Sequence, residues 1–228
     1  MVCRFIAVVL LYSYALQIFA SPIPSSATDE LLTSAKESSI MTRVVVGNVL
    51  QYYCNHSVYP SCYNCSNFIR EITKSIDSTF PELHLNETLD FTNYDDFQMA
   101  LVNMTAVISQ YNTSIQSQLN RELNYLCAPA RKIGVPCHYP NACFQQTTRN
   151  DAVFYCHLRD ANSRLKDLKL LLSQMVQSYA LQDPAVDINL LVEPATPIIV
   201  TRWFSMVTLH HLQEQVSRMK NKLLLVKL

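Results

Sequence analysis

The stretch that decides the fold runs from Tyr94 to Leu126 and reads YDDFQMALVNMTAVISQYNTSIQSQLNRELNYL. Its large apolar side chains recur three or four residues apart, which is the spacing of one face of an α-helix. Over about eight turns that face carries Phe97, Leu101, Met104, Ile108, Tyr111, Ile115, Leu119 and Leu126. Because a helix with one apolar face must bury that face, we expect other helices to pack against it.

Three further stretches show the same periodicity, so the sequence predicts four long helices in all. We expect the first over Thr28–Tyr53, the third over Asp151–Leu181 and the fourth over Ile198–Val226. The predicted buried faces are Met41, Val45, Val49 and Tyr52 in the first; Phe154, Leu158, Ala161, Leu165, Leu168, Leu172, Met175 and Tyr179 in the third; and Leu209, Leu212, Val216, Met219 and Leu223 in the fourth.

The connections between these helices are uneven in length. Residues 54–93 form a long first connection with room for a short helix around Asn67–Phe80, and the proline-bounded segment 182–197 forms the third. Long first and third connections allow parallel neighbours, since each can return along a whole helix. The sequence therefore predicts an all-α, disulfide-stapled, long-chain four-helix bundle of up-up-down-down topology.

Residues 1–20 have the layout of a secretory signal peptide. Arg4 precedes the apolar run Phe5–Tyr12, and Ala20 precedes the expected cleavage site. The alternative is a transmembrane anchor, but a span needs about 20 apolar residues, and Tyr12 to Tyr14 interrupt the run. We therefore expect a signal peptide at 1–20, one four-helix domain at 21–228, no membrane insertion and a secreted, extracellular protein.

Charge and glycine content exclude several functional classes. The 18 Lys and Arg residues balance the 18 Asp and Glu residues, so nothing indicates binding to nucleic acid. Only two glycines occur, which disfavours phosphate-binding loops and all-β folds. The chain also lacks the sequence motifs of zinc proteases and serine hydrolases. We expect no enzymatic activity and no cofactor.

The cysteines of the mature chain are the strongest candidates for covalent cross-links. In a secreted chain they indicate disulfides, and their odd number leaves one thiol free or bonded to another chain. One alternative is a zinc site formed from Cys127, Cys137, His138, Cys143, Cys156 and His157, and another is a redox pair at Cys62 and Cys65. The disulfide candidates are Cys54, Cys62, Cys65, Cys127, Cys137, Cys143 and Cys156.

Five sequons for N-linked glycosylation follow the leader. Their number supports passage through the secretory pathway. Asn103 and Asn112 lie on opposite faces of the second predicted helix, with Asn112 nearer the apolar stripe, so we expect Asn103 to carry glycan more readily. The sequons begin at Asn55, Asn64, Asn86, Asn103 and Asn112.

Four segments resemble the interleukin-6 family of long-chain helical cytokines, which includes interleukin-11. The first helix ends in VLQYYCNHSVYPSC (residues 49–62), similar to the small cysteine loop after the first helix of interleukin-6. The stretch SRLKDLKLLLSQM (163–175) resembles the third helix of interleukin-11. The last helix begins with RWFSMVTLHHL (202–212) and the chain ends in KLLLVKL (222–228), similar to both.

The resemblance implies a cytokine that binds a ligand-specific receptor chain and a shared signal transducer on the cell surface. It implies that Trp203, with Phe204 beside it, contacts the shared receptor, and that Arg218, Lys220 and Lys222 contact the ligand-specific one. Val207 stands where members that bind the leukaemia-inhibitory-factor receptor carry lysine, which disfavours that receptor.

Each of these residues also has an alternative explanation that involves no receptor contact. Trp203 falls almost opposite the apolar stripe of its helix, so core packing does not explain it, unless the helix begins later and Trp203 covers the end of the bundle. The basic residues near the C-terminus have an alternative as solvated side chains, and so do His210 and His211. Alternatives for the whole protein are a subunit of a disulfide-linked heterodimer, like the alpha chain of interleukin-12, and a secreted hydrolase or inhibitor.

Overall fold

The computed structural model describes residues 25–56, 65–75, 80, 82–83, 94–137, 143, 150–182 and 197–226. Within these ranges every regular element is a helix and no strand occurs. The five helices, in chain order, are α1 (Ser25–His56), α2 (Cys65–Ser75), α3 (Tyr94–Lys132), α4 (Asn150–Ser178) and α5 (Ile198–Leu223). The predicted signal peptide lies outside the described residues.

The expected all-helical fold is confirmed, and three of the predicted apolar faces are correct. All eight stripe residues of α3 are buried, as are the stripe residues of α5. The α4 stripe is buried up to Met175, and Tyr179 packs half-buried at its end. The short helix in the first connection exists but begins two residues earlier and ends at Ser75. One hydrophobic core collects the buried faces of the four long helices.

Of the predicted buried face of α1, Val49 is buried, but the face as a whole is wrong by about one residue in phase. Met41 is 47 % exposed and Val45 only half-buried. The face that points inward carries two polar residues, Ser39 and Thr42, which is why apolar spacing did not reveal it. Their hydroxyls donate to the carbonyl oxygens of Lys36 and Arg164. The buried positions follow a three-and-four spacing through Leu32, Ala35, Ser39, Thr42, Val46, Val49 and Tyr53.

Both α1 and α3 pack extensively against α4 and α5. The end of α1 contacts the start of α4, the middles of α3 and α4 contact each other, and the start of α3 contacts the residue just after α4. These contacts are Tyr53 to Phe154 (4.9 Å between ring centroids), Thr42 to Arg164 (3.4 Å), Asn112 to Asn162 (3.1 Å) and Phe97 to Tyr179 (5.8 Å between centroids).

The contacts made by α5 follow the same pattern. The start of α5 lies against the second half of α3, and its end lies against the middle and the first half of α1. The contacts are Arg202 to Glu122 (2.8 Å), Thr208 to Gln118 (3.0 Å), Ser217 to Arg43 (3.0 Å) and Val226, just beyond α5, to Lys36 (3.1 Å).

Three disulfides join the segments at one end of the molecule, and the expected disulfide framework is confirmed. They are Cys54–Cys65, Cys127–Cys137 and Cys143–Cys156. Cys54 pairs with Cys65 rather than closing the small loop to Cys62 that the resemblance implied. Four proposed zinc ligands are used in disulfides, so the zinc alternative is wrong. Cys3, Cys62 and His138 lie outside the described residues.

We call the region around the disulfides Cys54–Cys65 and Cys143–Cys156 the disulfide end. Tyr53 and Phe154 lie next to these cysteines in the chain. There the Arg202 guanidinium lies over the Phe154 ring at 4.2 Å, and the Tyr53 ring meets Phe154 edge-on. Part of the first connection crosses the middle of α5. The Leu83 amide donates to the Gln215 side chain (2.9 Å) and Phe80 stacks on His211. We call residues 80–83 the strap.

Candidate functional site

Trp203 does not stand alone on an outward face, so the expectation that packing plays no part in its position is wrong. It is half-buried against the core, and its ring meets Phe68 of α2 edge-on at 5.9 Å. The physical reason is tertiary: α2, held to α1 by Cys54–Cys65, covers this side of α5. The Trp203 Nε1 finds no hydrogen-bond partner among the described residues. Phe204 is also half-buried.

A buried ion pair lies directly beside Trp203. The Arg202 guanidinium binds the Glu122 carboxylate through two hydrogen bonds, Nε to Oε1 (2.8 Å) and Nη2 to Oε2 (3.1 Å). The Arg202 side chain is 7 % exposed and that of Glu122 fully buried. Two-point geometry and packing on the Phe154 ring provide the partners that a desolvated charge requires. The pair ties the start of α5 to α3.

The phenol of Tyr53 completes this cluster. Its hydroxyl donates to the carbonyl oxygen of Phe154 (3.4 Å). Burial raises the pKa of Tyr53 well above its ordinary value, and the Glu122 carboxylate raises it further. The phenol therefore stays neutral at physiological pH. The surface that carries Trp203 is therefore supported by a buried cluster of hydrogen-bonded polar side chains.

The basic residues near the C-terminus lie on a different surface. Arg218 is exposed, and Lys220 and Lys222 are half-buried. Arg218 borders a groove of about 400 Å³ between α1 and α5, opposite Arg43, whose Nε donates to the Ser217 hydroxyl. Arg218 stands fifteen positions after Trp203 on the same helix, or about 22 Å along its axis. The structure therefore keeps the two predicted sets apart.

Sequence reasoning missed the exposed apolar side chains of α1. Ile40, Met41 and Val44 are between 40 % and 47 % exposed. Val45 and Asn48 of the same helix line a groove of about 490 Å³ between α1 and α4, together with His157 and Asp160. The exposure of the three apolar side chains follows from the phase of α1, so correct placement of Ser39 and Thr42 in the core would have revealed it.

His211 packs against the strap, and its pKa is lowered. The Phe80 ring stacks on its imidazole with 4.4 Å between centroids. Burial lowers the pKa of His211, and His210 lowers it further, while Glu214 and Glu82 oppose the shift. Both imidazoles approach the Glu214 carboxylate, His210 at 3.7 Å and His211 at 3.9 Å. Among the described residues, no group of three His, Cys, Asp or Glu side chains is placed to hold a metal ion.

Acidification is expected to loosen the strap. Because the folded-state pKa of His211 is lowered, its neutral form stabilises the contact above about pH 6.5. That stability is lost as the pH falls through the folded-state pKa. The Leu83 amide should therefore lose hydrogen-exchange protection, corrected for intrinsic rates, between about pH 7.5 and pH 5.5. The variant His211→Phe keeps the stack without the titration and should show no such loss. An equal loss in both proteins would assign the effect to another group.

The sequons occupy very different environments in the described residues. Asn55 is exposed in the last turn of α1. Asn112 is 9 % exposed, and its Nδ2, the atom that would carry glycan, donates to Asn162 across the α3–α4 contact. Asn103 is half-buried, with a shielded Oδ1. Asn64 and Asn86 lie outside the described residues.

Glycan mapping should therefore find Asn55 occupied and Asn112 bare, with Asn103 modified more readily than Asn112. A glycan at Asn112 cannot fit inside a packed helix contact. Enzymatic deglycosylation in heavy-oxygen water, followed by peptide mass spectrometry, measures each site. Asn55→Gln should increase gel mobility of the secreted protein, and Asn112→Gln should leave it unchanged. Full occupancy of Asn112 would contradict the observed phase of α3.

Within the described residues, no helix has the length and apolar character needed to cross a bilayer. Comparison with known proteins gives no match: no protein-family profile, no curated protein and no solved structure is similar to this chain.

Proposed function

We propose that this chain is a secreted helical cytokine of the interleukin-6 type that assembles cell-surface receptors to trigger signalling. On this proposal the helices form a long-chain four-helix bundle of up-up-down-down topology, and the leader at 1–20 directs secretion. Three disulfides support an oxidising compartment. The resemblance of residues 49–62, 163–175 and 202–212 to the family supports the type.

The observation that carries the proposal is which part of each helix contacts which part of its neighbour. Each of the four contacting pairs joins early residues of one helix to late residues of the other: Tyr53 meets Phe154, for example, and Arg202 meets Glu122. If neighbours run in opposite directions, α1 and α3 run one way and α4 and α5 the other. Only long connections allow that order, and it is the topology of the growth-hormone and cytokine bundles.

Two separate surfaces on α5 suit a ligand that bridges receptors. Trp203 and Phe204 stand at the disulfide end on a rigid base, and Trp is enriched among interface hot spots. Arg218 stands near the other end with Lys220 and Lys222, where exposed cations steer an acidic partner. On the proposal, the first surface binds the shared signal transducer and the second the ligand-specific receptor chain.

Surface plasmon resonance tests this proposal directly. The glycosylated protein, secreted from eukaryotic cells, is passed over immobilised ectodomains of class I cytokine receptors, including those of the interleukin-6 family. We expect saturable binding to at least one ectodomain. Charge reversal at Arg218 and Lys222 should slow association with the ligand-specific chain at low salt, while Glu37→Lys on α1 serves as the control. Absence of binding to every ectodomain would contradict the proposal.

A second candidate function follows from the cysteines. The three disulfides use six of them, which leaves Cys62 as the unassigned cysteine of the mature chain. We propose, as the alternative, a helical subunit linked through Cys62 to a receptor-like partner. On a non-reducing gel of native secreted material, a band well above 26.0 kDa that disappears in Cys62→Ser would favour this alternative. A lone band near monomer mass would remove it.

A further inference from the structure

The segment after α3 presents the most exposed large apolar side chain among the described residues. Ile133 is 75 % exposed, and Val135 two positions later is 48 % exposed. Both belong to the loop closed by Cys127–Cys137. We call residues 128–136, which comprise the end of α3 and the turn after it, the knob. Single exposed apolar residues are common, but two at the tip of one closed loop form a local patch.

A buried base and two backbone hydrogen bonds hold the knob in its conformation. Its first residue follows Cys127, which is 2 % exposed and so fixes the base in the protein interior. The Val135 amide donates to the Ala130 carbonyl (3.0 Å) and the Gly134 amide to that of Arg131 (3.2 Å). These are the two hydrogen bonds of a Schellman motif, and Gly134 has the positive φ (70°) that the motif requires. The tip is therefore ordered before any partner arrives.

The charges carried by the knob itself are all positive. Arg131 and Lys132 are exposed, and the segment 127–137 contains no Asp or Glu. The Arg131 Nη2 donates to the Asn124 side chain (2.9 Å), which directs the guanidinium. A complementary surface must offer an apolar pocket for Ile133 with carboxylates at its rim.

We propose that the knob is a preformed docking element for an acidic, apolar pocket on a protein partner, with Ile133 as its anchor. The inference rests on the proposed function, because it takes the partner to be a receptor chain. Preorganisation favours this use, since an ordered loop loses little further freedom on binding. A bilayer is the poorer partner: two aliphatic side chains bury far less than a single myristoyl chain, which alone binds membranes only marginally.

The test compares Ile133→Ser with Leu170→Ser, a matched control because Leu170 is also a large exposed apolar residue, 58 % exposed on α4. The probes are the receptor ectodomains that bind the unmodified protein by surface plasmon resonance. Ile133→Ser should weaken at least one of these interactions by about tenfold to a hundredfold, at an unchanged melting temperature. Leu170→Ser should change every affinity by less than twofold.

Gly134→Ala provides an independent test of preorganisation. A Cβ at this position meets nothing, so the variant changes only the cost of the positive φ. It should weaken the interaction that depends on Ile133 and leave the others unchanged.

The outcomes separate this inference from the proposed function. If Ile133→Ser binds every ectodomain as tightly as the unmodified protein does, the knob proposal is wrong and the proposed function stands. If the unmodified protein binds no ectodomain, both are wrong. Binding to phosphatidylserine vesicles that is lost in Ile133→Ser would identify a membrane as the partner and overturn the protein partner.

Discussion

Replacing Arg202 by alanine is expected to lower the free energy of unfolding by about 3–5 kcal/mol. The substitution leaves the Glu122 carboxylate fully buried without its two hydrogen bonds. It also removes the guanidinium that packs on the Phe154 ring. A buried charge that loses its partner pays the full cost of desolvation, which is why the effect exceeds that of an ordinary surface change. Urea unfolding followed by circular dichroism measures it.

Two controls define the cause of that loss. Glu71→Ala breaks an ion pair with Lys74 in which both side chains are more than 60 % exposed, and it should leave the unfolding midpoint unchanged. The double variant Arg202→Met with Glu122→Leu removes both charges together and should recover much of the stability. An Arg202→Ala protein as stable as the unmodified one would show that the pair does not hold α5 against α3.

Replacing Trp203 by alanine is expected to weaken binding to the shared receptor by about 30-fold, the equivalent of about 2 kcal/mol. A hot-spot ring fills a pocket on the partner, and alanine cannot replace it. Binding to the ligand-specific receptor through Arg218, Lys220 and Lys222 should remain, so the variant should act as an antagonist. Loss of the edge contact with Phe68 should cost about 1 kcal/mol of stability. Receptor affinities and thermal melting measure the two effects separately.

Phe68→Ala is the matched control for Trp203→Ala. It removes the same ring contact from the α2 side and leaves the Trp203 ring in place. We expect a similar loss of stability with a much smaller loss of affinity. If both variants lose affinity equally, the effect belongs to the packing of α2 on α5 and not to a receptor contact. Full signalling by Trp203→Ala would contradict the assigned role outright.

The sequence predicted the helices best where large apolar residues dominate the buried face. The α3 stripe is such a face, and each of its members is buried. On α1 the buried face includes Ser39 and Thr42, so apolar spacing selected Met41 instead. Polar residues whose side chains hydrogen-bond to backbone carbonyls can be buried, and apolar spacing does not detect them.

The buried ion pair was overlooked although the sequence carried a sign of it. Glu122 fills the gap between Leu119 and Leu126 in the α3 stripe, and Arg202 stands seven residues before Leu209, in phase with the α5 stripe. A charged residue in phase with an apolar face needs a buried partner. When two such residues of opposite charge lie on neighbouring helices, each one predicts the other as its buried partner.

Other features depend on tertiary contacts that periodicity does not encode. The period of α5 placed Trp203 opposite its stripe, but α2 comes from a distant connection and covers that side. Disulfide pairing has the same origin, because a list of cysteines leaves many pairings open. The fold of the molecule brings Cys54 to Cys65 rather than to Cys62. The knob depends on such a pairing and was not predicted.

Mass photometry of the protein mixed with class I cytokine receptor ectodomains tests the central claim most directly, because the proposed function requires the protein to bring receptor chains together. The account predicts a complex that contains this chain and two different ectodomains, formed only when all three are present. The Trp203→Ala protein should stop at a complex with the ligand-specific ectodomain alone. If mixtures at micromolar concentration contain only the separate proteins, the account is contradicted.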